Sequence, residues 1–124
     1  MKLQTLLIAS SLALGSLAWA GPNDGTHKPM QGGVLATVKD VDYELVANAT
    51  ALRLYVRDHG KAVDVSKATA KLTLLTGSEK QEVELKPSGD KLEATGNFKV
   101  VAGTKVVAVI SFGAKQATAR FVIK

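Results

Sequence analysis

The sequence predicts an all-β protein, folded as a single antiparallel β-sandwich. Three observations predict it. Apolar and polar residues alternate in run after run, the period of two that turns one strand face to the core and the other to water. Glycine, proline and aspartate punctuate those runs at short intervals, as tight turns require. No segment sustains a helical period.

Residues 1–20 are read as a secretory signal peptide and set apart from the fold. Lys2 supplies a positive start, Leu6 to Leu17 is an apolar run, and Ala18-Trp19-Ala20 is a small-residue cleavage site. The apolar run is shorter than the ~20 residues that span a bilayer. No cysteine follows it, so a lipid-anchored terminus is not expected. The chain is therefore expected in the periplasm of a bacterium. No later segment is apolar and long enough to span a membrane. Residues 21–32 form a lead-in rich in glycine and proline with almost no apolar content, expected to be flexible. Residues 33–124 are the expected β-domain, one modest core.

The strands follow in order. Gly33 to Val38 is the first, and Asp40 turns the chain into Val41-Asp42-Tyr43-Glu44-Leu45, where apolar and acidic residues alternate with the acids on a wet face. Leu52, Leu54 and Val56 share one face of the next strand, and Arg53, Tyr55 and Arg57 take the other. Asp58-His59-Gly60-Lys61 is a hairpin turn in which Gly60 supplies a positive φ. Ala62 to Val65 resumes. Ala70 to Leu74 alternates, Thr76 to Glu79 turns, and Lys80 to Lys86 alternates again. Pro87 to Asp90 is another turn, Lys91 to Ala94 a short strand, and Phe98 and Val100 continue its apolar face after a break at Gly96-Asn97. Val106 to Phe112 is nearly all apolar, which predicts a central strand covered on both faces. Gly113 to Lys115 turns the chain into Ala117-Ala119-Phe121-Ile123. Roughly nine short strands at this spacing, joined by short turns, favour an immunoglobulin-like sandwich, here without the cysteine pair and tryptophan of antibody domains.

Composition excludes several functions. The formal net charge is +5, but lysines and acids are interleaved, as in Lys80 to Lys86, which describes solvated strand faces. No basic patch is interleaved with aromatics, so nucleic acid is not an expected partner. There is no cysteine, hence no disulfide and no thiol chemistry. No nucleophile elbow, phosphate-binding loop or zinc-protease motif is present, and the chain reads as a non-enzyme.

Two kinds of candidate site remain. His27 and Met30 lie three apart in the lead-in, and His59 lies in the hairpin turn beside Asp58. Imidazole and thioether groups suit copper, and imidazole suits zinc. The competing reading is a chance histidine and methionine in an arm and a polar turn. Arg53, Tyr55 and Arg57 share one strand face, residue types enriched in binding hot spots, and could meet a periplasmic protein partner. The competing reading there is a covered outer face.

His27 to Val34 (HKPMQGGV), Val41 to Val46 (VDYELV) and Leu54 to Asp64 (LYVRDHGKAVD) together resemble small proteobacterial periplasmic proteins. They are also similar to the β-rich segment near the N-terminus of adaptor subunits of heavy-metal efflux pumps. The resemblance spans about His27 to Phe121. It implies a periplasmic sandwich with a role in metal homeostasis, and it carries histidine positions over to His27 and His59. No helical hairpin or lipoyl-like region follows the sandwich in this sequence, which fits a stand-alone carrier or accessory module rather than a pump bridge. The expected function is thus a small periplasmic module binding a soft or borderline metal ion, copper or zinc. The alternative is a structural or protein-interaction sandwich with no metal role.

Overall fold

The computed structural model describes residues 27–124. The expected signal peptide and the first part of the lead-in lie outside them. The described chain is all-β, with nine strands: β1 Val34–Val38, β2 Val41–Ala47, β3 Ala51–Asp58, β4 Lys61–Ala62, β5 Ala68–Thr76, β6 Glu79–Ser88, β7 Lys91–Thr95, β8 Lys105–Phe112 and β9 Lys115–Val122. Every pairing is antiparallel. The hydrogen-bonded order is β1-β2-β3-β7-β6-β5-β8-β9, with β4 added against β3. β1 also lies alongside β9, so the sheet nearly closes into a barrel.

The alternation seen in the sequence fills the interior. Leu52, Leu54 and Val56 of β3 face Leu72 and Leu74 of β5 and Val106, Ala108 and Ile110 of β8 within one buried cluster. Burying each leucine or isoleucine fully is worth about 1.5–3 kcal/mol. With no disulfide available, this cluster and the ladders are what hold the domain together.

Four elements differ from the sequence expectation. The proline at 87 does not turn the chain; it lies inside β6. The β5–β6 ladder ends at Ala70 and Leu85, and from Lys86 onward β6 pairs with β7 instead. Pro87 therefore sits where its missing N–H takes no bond from β5, the sort of position a strand proline tolerates. Phe98 and Val100 lie in a loop, not a strand, though both pack on the core; the amides of Gly96 and Phe98 donate to the carbonyls of Thr50 and Ala49. Strand β4 is only two residues long. Finally, β8 is not central but next to last in the order, between β5 and β9, and Val107 and Val109 on its outer face are half-buried rather than covered. They are flanked in the ladders by Thr73 and Arg120 and by Lys71 and Thr118, polar neighbours that shield without enclosing.

Two hairpin turns frame one end of the barrel. Lys39 and Asp40, with φ of 52° and 68°, link β1 to β2. His59 and Gly60, with φ of 53° and 82°, link β3 to β4. Both central residues positive is the signature of the turn that matches the twist of the flanking strands.

Gly33, just before β1, is required for a different reason. A β-carbon there would lie 2.2 Å from the carbonyl oxygen of Leu45 on β2. Gly33→Ala must push β2 and the chain before β1 apart, and overpacking of this kind costs about 1–3 kcal/mol. Urea unfolding of the variant is expected to show that loss, and an unchanged midpoint would refute the close approach.

Candidate functional site

The alternation of β2 puts Tyr43 and Leu45 inside and Asp42 and Glu44 outside. The outer face is nevertheless not wet. Asp42 and Glu44 are 1% and 0% exposed. Residues 27–33, the last of the lead-in, fold over them and are held there by hydrogen bonds.

Glu44 is the centre of this clamp. Its Oε1 accepts the amide of Met30 at 2.8 Å, and its Oε2 accepts those of Gln31 at 2.7 Å and Gly33 at 2.9 Å. Arg57 completes the set, its Nη2 lying 3.1 Å from Oε1 and also donating to the carbonyl of Lys28 at 2.9 Å. Burial alone would push the Glu44 carboxyl up, but the amides of Gly33, Met30 and Gln31 and the Arg57 guanidinium outweigh it and hold it below the usual carboxylate range.

Asp42 makes a second, smaller anchor. Its Oδ1 accepts the hydroxyl of Thr37 at 2.7 Å and meets Nδ1 of His27 at 2.7 Å. A neutral His27 ring that donates from Nδ1 to this carboxylate has its free lone pair on Nε2. Asp42 and Arg57 face each other across the β2–β3 ladder. Asp42 Oδ2 and Arg57 Nε are buried with no hydrogen-bond partner among the described residues.

The sequence-predicted residues fall as follows. His27 lies at the head of the clamp with its side chain 29% exposed. Met30 is fixed by its backbone amide, while the residue is 66% exposed. His59 is exposed at the turn and its Nδ1 meets Asp58. Asp58 pairs with Val41 one rung from Asp42, and successive rungs present opposite faces, so the two histidine–carboxylate pairs stand on opposite sides of β2 and β3. Among the described residues no group of three or more histidine, cysteine, aspartate and glutamate side chains is placed to hold a metal ion. Of the Tyr/Arg face, Arg57 is buried under the arm, Tyr55 is half-buried opposite Glu44, and Arg53 is half-buried with its Nε 2.7 Å from Glu93 Oε2. Arg57 thus belongs to the clamp rather than to an open surface.

Thr37, Asp42 and Glu44 are the residues of the clamp that sequence reasoning missed. Their signal was two acids on the second strand after a glycine-rich arm, with an arginine on the strand that follows. Among the described residues no helix is long and apolar enough to cross a membrane. The chain matches no protein-family model, no curated protein and no solved structure.

The clamp makes a pH-dependent prediction. Removing one partner of a buried ion pair costs about 3–5 kcal/mol. Glu44→Gln is expected to lose stability of that order at neutral pH. Because the folded-state pKa of Glu44 is depressed, its contribution is complete above the unfolded carboxylate value and is lost as pH falls through the folded one. Denaturant midpoints of the two proteins should therefore converge as pH drops below about 4. A gap that stays constant down to acid pH would remove Glu44 from this role.

Proposed function

We propose that the chain is a small exported binding module of the bacterial periplasm that takes a soft or borderline metal ion, copper or zinc, as an accessory to metal homeostasis. The fold we assign is an immunoglobulin-like sandwich. It is supported by the two pairings between strands distant in sequence, β3 with β7 and β5 with β8, and by the switch of β6 from one neighbour to the other. Export rests on the signal-peptide pattern of residues 1–20.

One observation carries the metal reading. The His27 ring is held through Nδ1 by a buried carboxylate, and this carboxylate–histidine pairing is the outer-shell arrangement that orients an imidazole for a metal on Nε2. Met30, three residues on, is pinned by its backbone and presents its side chain outward. A thioether beside an imidazole suits Cu(I) in particular. His59, on the other side of the strands, is a separate single donor. The resemblance to metal-efflux adaptor segments points the same way.

The second reading, a structural or protein-interaction domain without a metal, is favoured by the want, among the described residues, of any group of three or more histidine, cysteine, aspartate and glutamate side chains placed to hold a metal ion. One titration separates the two. Calorimetry of the purified protein with Cu(II), Zn(II) and, under reducing conditions, Cu(I) is expected to show binding of one ion that His27→Ala abolishes and Met30→Leu weakens for Cu(I). At a hundredfold excess of metal over its Kd the native state gains about 2.7 kcal/mol, visible as a raised Tm. Binding of none of the three ions, or binding indifferent to both substitutions, would leave the interaction domain.

A further inference from the structure

A cleft of about 730 Å³ opens where β1 and β9 part, at the end of the barrel framed by the hairpin turns. Its floor is formed by Val41, Tyr43 and Val56, from the same inward rows of β2 and β3 that supply Leu45 and Leu54 to the core. Tyr43 and Val56 are buried, while Val63, Phe112 and Ala117 at the sides are packed against the core yet half-open to solvent. The cleft is therefore an extension of the hydrophobic interior to the surface, within the ~300–1,000 Å³ typical of small-molecule sites.

Its rim is cationic. Lys39 and Lys115 line it from opposite hairpins, both are exposed, and neither forms an ion pair among the described residues. Lys39 is presented by a left-handed turn position that favours glycine or asparagine. Asp58 also reaches the rim, where its carboxylate meets His59 and sets one negative charge against the two lysines. The remaining polar group of the floor is the Tyr43 hydroxyl, whose pKa is raised by burial and by the Asp58 charge, so it stays a neutral donor at physiological pH.

An apolar floor, a neutral donor and a rim of two lysines against one carboxylate, net positive, are complementary to one kind of ligand. We propose that this cleft binds a small amphipathic monoanion, an acyl chain ending in a carboxylate. The chain lies on Val56 and Phe112, and the carboxylate rests at the lysine rim. The proposal is independent of the metal reading. The two share no ligand-contacting residue except Asp58, which here only borders the cleft.

The experiment is a titration of the purified protein with decanoate, below its micellar concentration and with a chelator present, followed by calorimetry and by amide chemical shifts. The expected result is saturable one-site binding, with shifts centred on Tyr43, Phe112 and Ala117. Decan-1-ol should bind about tenfold more weakly, and the Lys39→Glu, Lys115→Glu double variant should lose about tenfold in affinity for decanoate. Both lysines are exposed, so the variant is expected to fold as the parent does. No saturable binding, or shifts centred elsewhere, would overturn the site. Equal affinity for the alcohol, or indifference to the charge reversals, would overturn the anionic ligand. Since metal is excluded from the titration, none of these outcomes bears on His27.

Discussion

An ionised carboxylate with no exposed surface has to be surrounded by donors, and Glu44 imposes that requirement on the whole first third of the described chain. Three consecutive needs follow from it. The arm must bring the amides of Met30, Gln31 and Gly33 to two oxygens, which fixes its path over β2. Such a path brings the backbone at position 33 so near the Leu45 carbonyl that only glycine fits. A guanidinium must also be buried alongside, and Arg57 answers this while tying down the Lys28 carbonyl as well. Met30 is therefore placed, and His27 brought to Asp42, by a charge that neither of their side chains touches.

Such a cluster is no proof of high stability, because desolvating two charges costs several kcal/mol before their attraction returns it. Its effect is on uniqueness. The barrel core of leucine and valine would be satisfied by many positions of the arm. Four directed hydrogen bonds to one carboxylate are satisfied by one. The exposed pairs elsewhere, such as Lys99 with Glu79, carry no comparable constraint, since water competes for both partners.

How much of this the sequence discloses depends on the range of the signal. Period-two alternation is local, and it located all the long strands and the inward rows that make the core. Turn residues are local too, and the positive φ of Gly60 was legible from Asp58-His59-Gly60-Lys61. What lies over a strand face is not local. The acids of β2 read as solvated because alternation reports which residues share a face and is silent on what covers it. Pro87 read as a turn because its tolerance depends on where β6 leaves β5, a property of the sheet and not of the proline. Arg57 read equally as part of a partner surface or of a covered outer face, and the pairing of β2 with β3, which puts it opposite Asp42 under the arm, decides for the covered face. The histidine at 27 was legible as a candidate ligand, but the carboxylate that orients it was not, since fifteen residues separate the two.

The two ends of the β1–β9 seam show how incomplete closure itself creates a place for ligands. At one end the C-terminal residues are locked: Gly103 donates to the Ile123 carbonyl and Ile123 to that of Thr104, while Gly33 and Val34 border the same groove as Ile123. At the other end Val38 and Ala117 line an open cleft, with the hairpin turns standing apart. A fully closed barrel would seal both ends and bury Val41, Val63 and Phe112 completely. Leaving them half-covered forgoes part of their burial free energy, about 25 cal/mol for every Å² of apolar surface left in water. The clamp holds the arm and the start of β1 against β2 at the other end of the strand. At the cleft end β1 is held to β2 by its own ladder, Val38 opposite Val41, so the seam opens on the β9 side.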